Sequence, residues 1–122
     1  MPTPHRQLCH HYTTRLDRAL AGADITVLAV PVASIIAALM DEKIPFEPQG
    51  LVMDVGSTKR LIVEAADRRK PPLRFVGAHP LAGNERSGLA GVEPDLFESA
   101  AFPLCPGRFA TRRDVATVRQ LV

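Results

Sequence analysis

The sequence predicts an α/β domain: a doubly wound parallel sheet of three to four strands with alternating helices. Three observations carry this. Near-continuous apolar runs end at Val30, Val55 and Ala78, amphipathic helical stretches separate them, and the connections are short. Strands covered on both faces read as unbroken apolar runs rather than alternating ones. Regular strand–helix–strand alternation builds a parallel sheet. The 122 residues are enough for one domain with a sizeable core.

Residues 1–12 show no clean period, contain Pro2 and Pro4, and read as a loose arm ahead of a domain spanning 13–122. His5, Cys9, His10 and His11 have metal-ligand chemistry, but adjacent histidines point in different directions, so no metal is expected. Residues 13–22 form a short helix: Leu16, Ala19 and Leu20 share a face and Gly22 is its stop. Asp24 opens the first strand, Ile25–Val30, and Pro31 ends it. Val32, Ile35, Ile36, Leu39 and Met40 then make one helical stripe, read as core packing.

Pro45, Pro48 and Gly50 mark a loop before the second strand, Leu51–Val55. Ser57 is placed to cap a helix from Thr58 to Arg69 that buries Ile62, Ala65 and Ala66, and Lys70-Pro71-Pro72 ends it. Arg74–Ala78 is the third strand, closing on His79-Pro80. A loop with Gly83, Gly88 and Gly91 follows, then a turn near Asp95–Phe97. Ala101–Cys105 reads as a fourth strand that Pro103 demotes to an edge. Thr111 caps a last helix with Val115, Val118 and Val122 on one side.

Composition excludes several classes. A net charge of +2 is too mild for nucleic acid, and no basic stripe interleaves with aromatics. No apolar run nears ~18 residues, so no membrane span is expected. The N-terminus lacks the order of a signal peptide. Cys9 and Cys105 lie far apart and read as free thiols of a cytoplasmic protein.

The chemistry concentrates at strand ends. Ligands of open α/β sheets bind outside the carboxyl ends of strands. His79 leaves the third strand there, and Asp54-Val55-Gly56-Ser57-Thr58-Lys59 leaves the second. On chemistry alone His79 is either a structural histidine or a general base, since imidazole titrates in the right range. Asp54 is expected to satisfy loop amides, and Lys59 to be solvated. A dinucleotide site of the usual kind needs G-x-G-x-x-G after its first strand. None is present: Gly83 and Gly88 are wrongly spaced. The chain thus looks like the second half of a Rossmann-like domain, lacking the first glycine-rich β–α–β half.

The motifs Leu28-Ala29-Val30-Pro31-Val32, Asp54-Val55-Gly56-Ser57-Thr58-Lys59, Phe75-Val76-Gly77-Ala78-His79-Pro80-Leu81-Ala82-Gly83, Glu85-Arg86-Ser87-Gly88 and Leu96-Phe97-Glu98 follow in order. In that succession the chain closely resembles the prephenate dehydrogenases and their arogenate dehydrogenase relatives, over about residues 15–122. The resemblance implies NAD(P)-dependent oxidative decarboxylation of prephenate to 4-hydroxyphenylpyruvate, on the route to tyrosine. It implies that His79 accepts the proton of the ring hydroxyl and that Ser57 orients His79. Val30, Pro31, Val32 and Gly56 would border the NAD or NADP cofactor, and Glu85 the substrate pocket. The small-molecule substrate would be prephenate or arogenate, and the complete enzyme a homodimer.

Two departures are expected to matter. Residues 1–12 stand where the family has a strand and its phosphate loop, which would leave Ile25–Val30 as an open apolar edge. The helical domain that follows in the family, with its dimer interface, falls outside this chain. The alternative reading is a non-catalytic remnant, or an interaction module that needs a partner chain.

Overall fold

The computed structural model describes residues 9–81 and 95–122. The element order is α1 (Leu16–Leu20), β1 (Ile25–Leu28), α2 (Val32–Met40), β2 (Leu51–Asp54), α3 (Arg60–Arg68), β3 (Arg74–Ala78), β4 (Leu104–Pro106) and α4 (Arg112–Leu121). The sheet runs β1-β2-β3-β4. β1, β2 and β3 are parallel, with Leu28 opposite Asp54 and Asp54 opposite Gly77. β4 joins β3 antiparallel, Gly77 facing Cys105.

Alternation along the strands builds two apolar layers. On one face Val52 and Phe75 pack with Ile35 and Leu39 of α2 and Ile62, Ala65 and Ala66 of α3. On the other, Leu51, Met53, Val76 and Ala78 pack with Val118 of α4. Helices therefore cover both faces, as the near-continuous apolar strands require. Phe75 is completely buried.

Several boundaries differ from the sequence reading. β1 stops at Leu28 instead of Val30, because its partner β2 turns away after Asp54. The first helix is confined to Leu16–Leu20 and buries only Leu20; Gly22 beyond it takes φ +72°, the left-handed conformation that glycine adopts without strain. Met40 lies on the stripe of α2 but is exposed. The fourth strand begins after Pro103 and not at Ala101, since proline brings no N–H to the ladder.

Two polar ties fix the layers. Thr111 Oγ1 accepts from Asp114 N–H at 3.1 Å while Asp114 Oδ2 accepts from Thr111 N–H at 2.9 Å, a complete capping box. Asp114 Oδ1 also takes Arg74 of β3 at 3.1 Å, which joins α4 to the sheet. On the opposite face Arg69 is 5% exposed, and its guanidinium donates to the carbonyls of Ala38, Leu39, Asp41 and Ile44 at 3.2, 3.1, 2.8 and 2.6 Å. It also stacks 4.8 Å from the Phe46 ring centroid. Burial draws its pKa below the ordinary arginine value, opposed by Glu42 and Asp41. An arginine stays charged through such a shift, so a cation sits on the orphan carbonyls that end α2.

Candidate functional site

The carboxyl ends of β1, β2 and β3 open at one edge of the sheet. Val30 and Pro31 follow β1 and are exposed; Val32, the first residue of α2, is half-buried. Gly56 and Ser57 follow β2, Gly56 half-buried and Ser57 exposed. His79 follows β3 directly and is half-buried between buried Ala78 and buried Pro80. The topology thus brings Val30, Pro31, Val32, Gly56, Ser57 and His79 to the carboxyl-terminal edge of the sheet. Glu85, with Gly83 and Gly88, lies outside the described residues.

The polar centre of this edge is Asp54, the last residue of β2. Its side chain is fully buried at the end of an otherwise apolar strand. Oδ2 accepts from Gly56 N–H at 2.8 Å and from Lys59 Nζ. Asp54 therefore satisfies a loop amide, as expected. Lys59 is not solvated: its side chain is 13% exposed and ion-paired. The sequence did hold a signal for this. An acid closing a buried strand needs a cation, and Lys59 is the first one downstream.

Gly77 makes room for that pair. A Cβ there would lie 3.1 Å from Lys59 Cδ and 3.3 Å from Asp54 Oδ1. A glycine within a strand often marks such a close approach.

Ser57 does not cap α3. The N-cap is Lys59, in helical conformation, and no side chain caps it. The turn held by Asp54 delays the helix to Arg60, which leaves Ser57 three residues upstream. Ser57 and His79 share no hydrogen bond; His79 Nδ1 is buried and without a partner among the described residues. The His79 backbone is fixed instead, its N–H donating to Pro103 O at 3.2 Å.

An apolar cavity of about 380 Å³ runs along β1, bounded by Leu16, Ala19, Val27 and Val30. Among the described residues no helix is long and apolar enough to cross a membrane.

Comparison with known proteins matches this arrangement to one family. Residues 5–122 fit the family model described as "Prephenate dehydrogenase, nucleotide-binding domain". The prephenate dehydrogenase of Bacillus subtilis (strain 168) is 34% identical over 113 residues, covering 88% of this chain and 30% of the relative. The crystal structure of Synechocystis arogenate dehydrogenase superposes with a TM-score of 0.83 at 32% identity, covering 97% of this chain and 41% of that one. The Aquifex aeolicus prephenate dehydrogenase, solved in complex with hydroxyphenyl propionate and NAD+, shares the fold with a TM-score of 0.72 at 24% identity, over 89% of this chain and 38% of its own. The chain thus spans well under half the length of each of these proteins. With the family model matched over residues 5–122 and the Bacillus subtilis relative 34% identical, the chain belongs to the prephenate dehydrogenase family, in its nucleotide-binding domain.

Proposed function

We propose that this chain serves an NAD(P)-dependent oxidoreductase that oxidatively decarboxylates prephenate, or its amino relative arogenate, on the route to tyrosine. The observation that carries the reading is His79. It is a half-buried imidazole at the carboxyl end of β3, beside the strand-end turn of β2, within a chain of this family.

The residues present fit the nicotinamide end of a dinucleotide. Val30 and Pro31 offer an exposed apolar ledge at the sheet edge where such ligands bind. No G-x-G-x-x-G turn occurs among the 122 residues, so the phosphates draw no such seat from this sequence. A bound cofactor would supply the hydride acceptor for the ring carbon that bears the hydroxyl.

The chain's own part is proton handling. His79 takes the hydroxyl proton as the carbon–hydrogen bond breaks. The bond to the ring carboxylate then breaks, carbon dioxide leaves, and its electron pair completes the aromatic ring. His79 returns the proton to the same oxygen, so the product is a neutral phenol and no net proton is lost. Ser57, exposed beside the site, hydrogen-bonds the reacting hydroxyl once substrate is bound.

The test is a segment exchange. Residues 13–122 replace the matching segment of the Bacillus subtilis relative, and prephenate-dependent NADH absorbance is followed. The chimera is expected to turn over, and His79→Asn to cut kcat by about 10²–10⁴-fold with NAD+ affinity kept. A folded chimera that binds NAD+ but oxidises neither prephenate nor arogenate overturns the reading.

A further inference from the structure

Asp54 and Lys59 form a buried ion pair, and such a pair is a poor source of stability, since apolar residues of similar volume often serve as well or better. It nevertheless lies where β2 leaves the sheet, beside the end of β3 that carries His79. Two buried polar atoms there lack a protein partner among the described residues: Asp54 Oδ1 and His79 Nδ1. Buried polar atoms are nearly always satisfied, by protein or by ordered water.

The sheet brings the two atoms to one face. Asp54 pairs in register with Gly77. Paired residues project to the same side, and the next residue on that side of β3 is His79. Beyond the end of β3 the chain stays in line with the sheet: His79 N–H donates to Pro103 O at 3.2 Å and Leu81 N–H to Ala101 O at 2.8 Å. Between Asp54 and His79 stands Gly77, which puts no side chain against the buried Asp54 Oδ1, 3.3 Å from where its Cβ would lie.

We propose that Asp54 is a positioning residue for His79, acting through one bound water that accepts from Nδ1–H and donates to Asp54 Oδ1. Lys59 and the Gly56 N–H hold the other carboxylate oxygen and so fix the orientation of the acceptor. The neutral imidazole then carries its proton on Nδ1, and the lone pair of Nε2 is free to take a proton. This rests on the reading of His79 as the base. An Asp54 that only braced its turn would leave the tautomer of His79 untouched.

The test reads the imidazole nitrogens of the ¹⁵N-labelled chain by NMR at about pH 8.5, where an ordinary imidazole is neutral. The expected state is the Nδ1–H tautomer; an Nε2–H tautomer in the unmodified chain overturns the proposal without any variant. Asp54→Leu with Lys59→Met removes the acceptor without stranding a buried ammonium, and is expected to abolish the Nδ1–H preference. An unchanged tautomer in that folded variant also overturns it. Asp54→Asn with Lys59→Met keeps an acceptor oxygen and is expected to restore the Nδ1–H form; failure to restore it counts against the hydrogen bond. None of these readouts needs turnover. An inactive chimera with His79 in the Nδ1–H form removes the catalytic reading, whereas His79-dependent turnover with an Nε2–H imidazole removes only the positioning role of Asp54.

Discussion

A methyl group on Gly77 would lie 3.1 Å from Lys59 Cδ, 3.2 Å from the Cys105 carbonyl oxygen and 3.3 Å from Asp54 Oδ1. The lysine stem can yield, but the backbone carbonyl cannot. Gly77→Ala is therefore expected to cost about 1–3 kcal/mol in urea unfolding, as overpacking does; unchanged stability would show that the site has slack. Arg69→Met removes a charged donor from four carbonyls; Asp41 O and Ile44 O keep the Ile44 and Phe46 N–H groups, while Ala38 O and Leu39 O lose the partner they have in Arg69. Its expected cost is about 2–4 kcal/mol by the same measurement, for lost charge-assisted bonds and unsatisfied acceptors. At this scale the sequence was legible in part. His79 stood out because a histidine directly after an apolar strand has one natural position. The Asp54–Lys59 pair left only the fainter signal of an acid closing an apolar strand, because a spacing of five residues across a turn belongs to neither a helix face nor a strand face. Only the folded turn brings the two together.

The element scale separates two hydroxyls that look alike in sequence. Thr111 and Ser57 each precede a helical stretch, and by sequence alone both are expected to cap it. Thr111 closes a capping box with Asp114, whereas Ser57 caps nothing. Thr111→Ala is expected to lower stability by about 1 kcal/mol. Ser57→Ala should stay within about 0.5 kcal/mol in thermal or urea unfolding, as exposed substitutions do. Equal losses in the two variants would contradict the assignment of caps. What distinguishes them is visible only three residues on: Asp114 stands at the reciprocal position after Thr111, while Arg60 stands there after Ser57. The three parallel strands and α2 were plain from apolar runs and one helical stripe. The antiparallel direction of β4 was not, because a three-residue strand carries too little pattern to reveal its orientation.

At the scale of the molecule, the described residues form a four-stranded sheet with unequal margins. At one side β4 is blunted by Pro103 before it and Pro106 within it. At the other, β1 is apolar, lacks proline and charge, and leaves Val27 and Val30 about half exposed, at 50% and 51%. That open apolar edge was foreseen from the sequence, since Ile25–Val30 has no charged residue to guard it. Concentration-dependent light scattering is expected to show self-association of the 122-residue chain. Val27→Lys should reduce it with the circular dichroism spectrum unchanged, because an edge lysine opposes strand addition. Equal scattering from the variant would place the association elsewhere.

The Arg69 guanidinium reaches back across the chain to the end of α2 and the loop after it, as far as Ile44. Neither stretch can open alone without breaking those bonds. The amides around 41–46 and those at the end of α3 should therefore exchange with deuterium as one cooperative unit, at a single opening free energy. In Arg69→Met that unit should split, with the loop exchanging early while α3 keeps its protection. A side chain placed to close one helix thus sets how much of the domain must come apart at once.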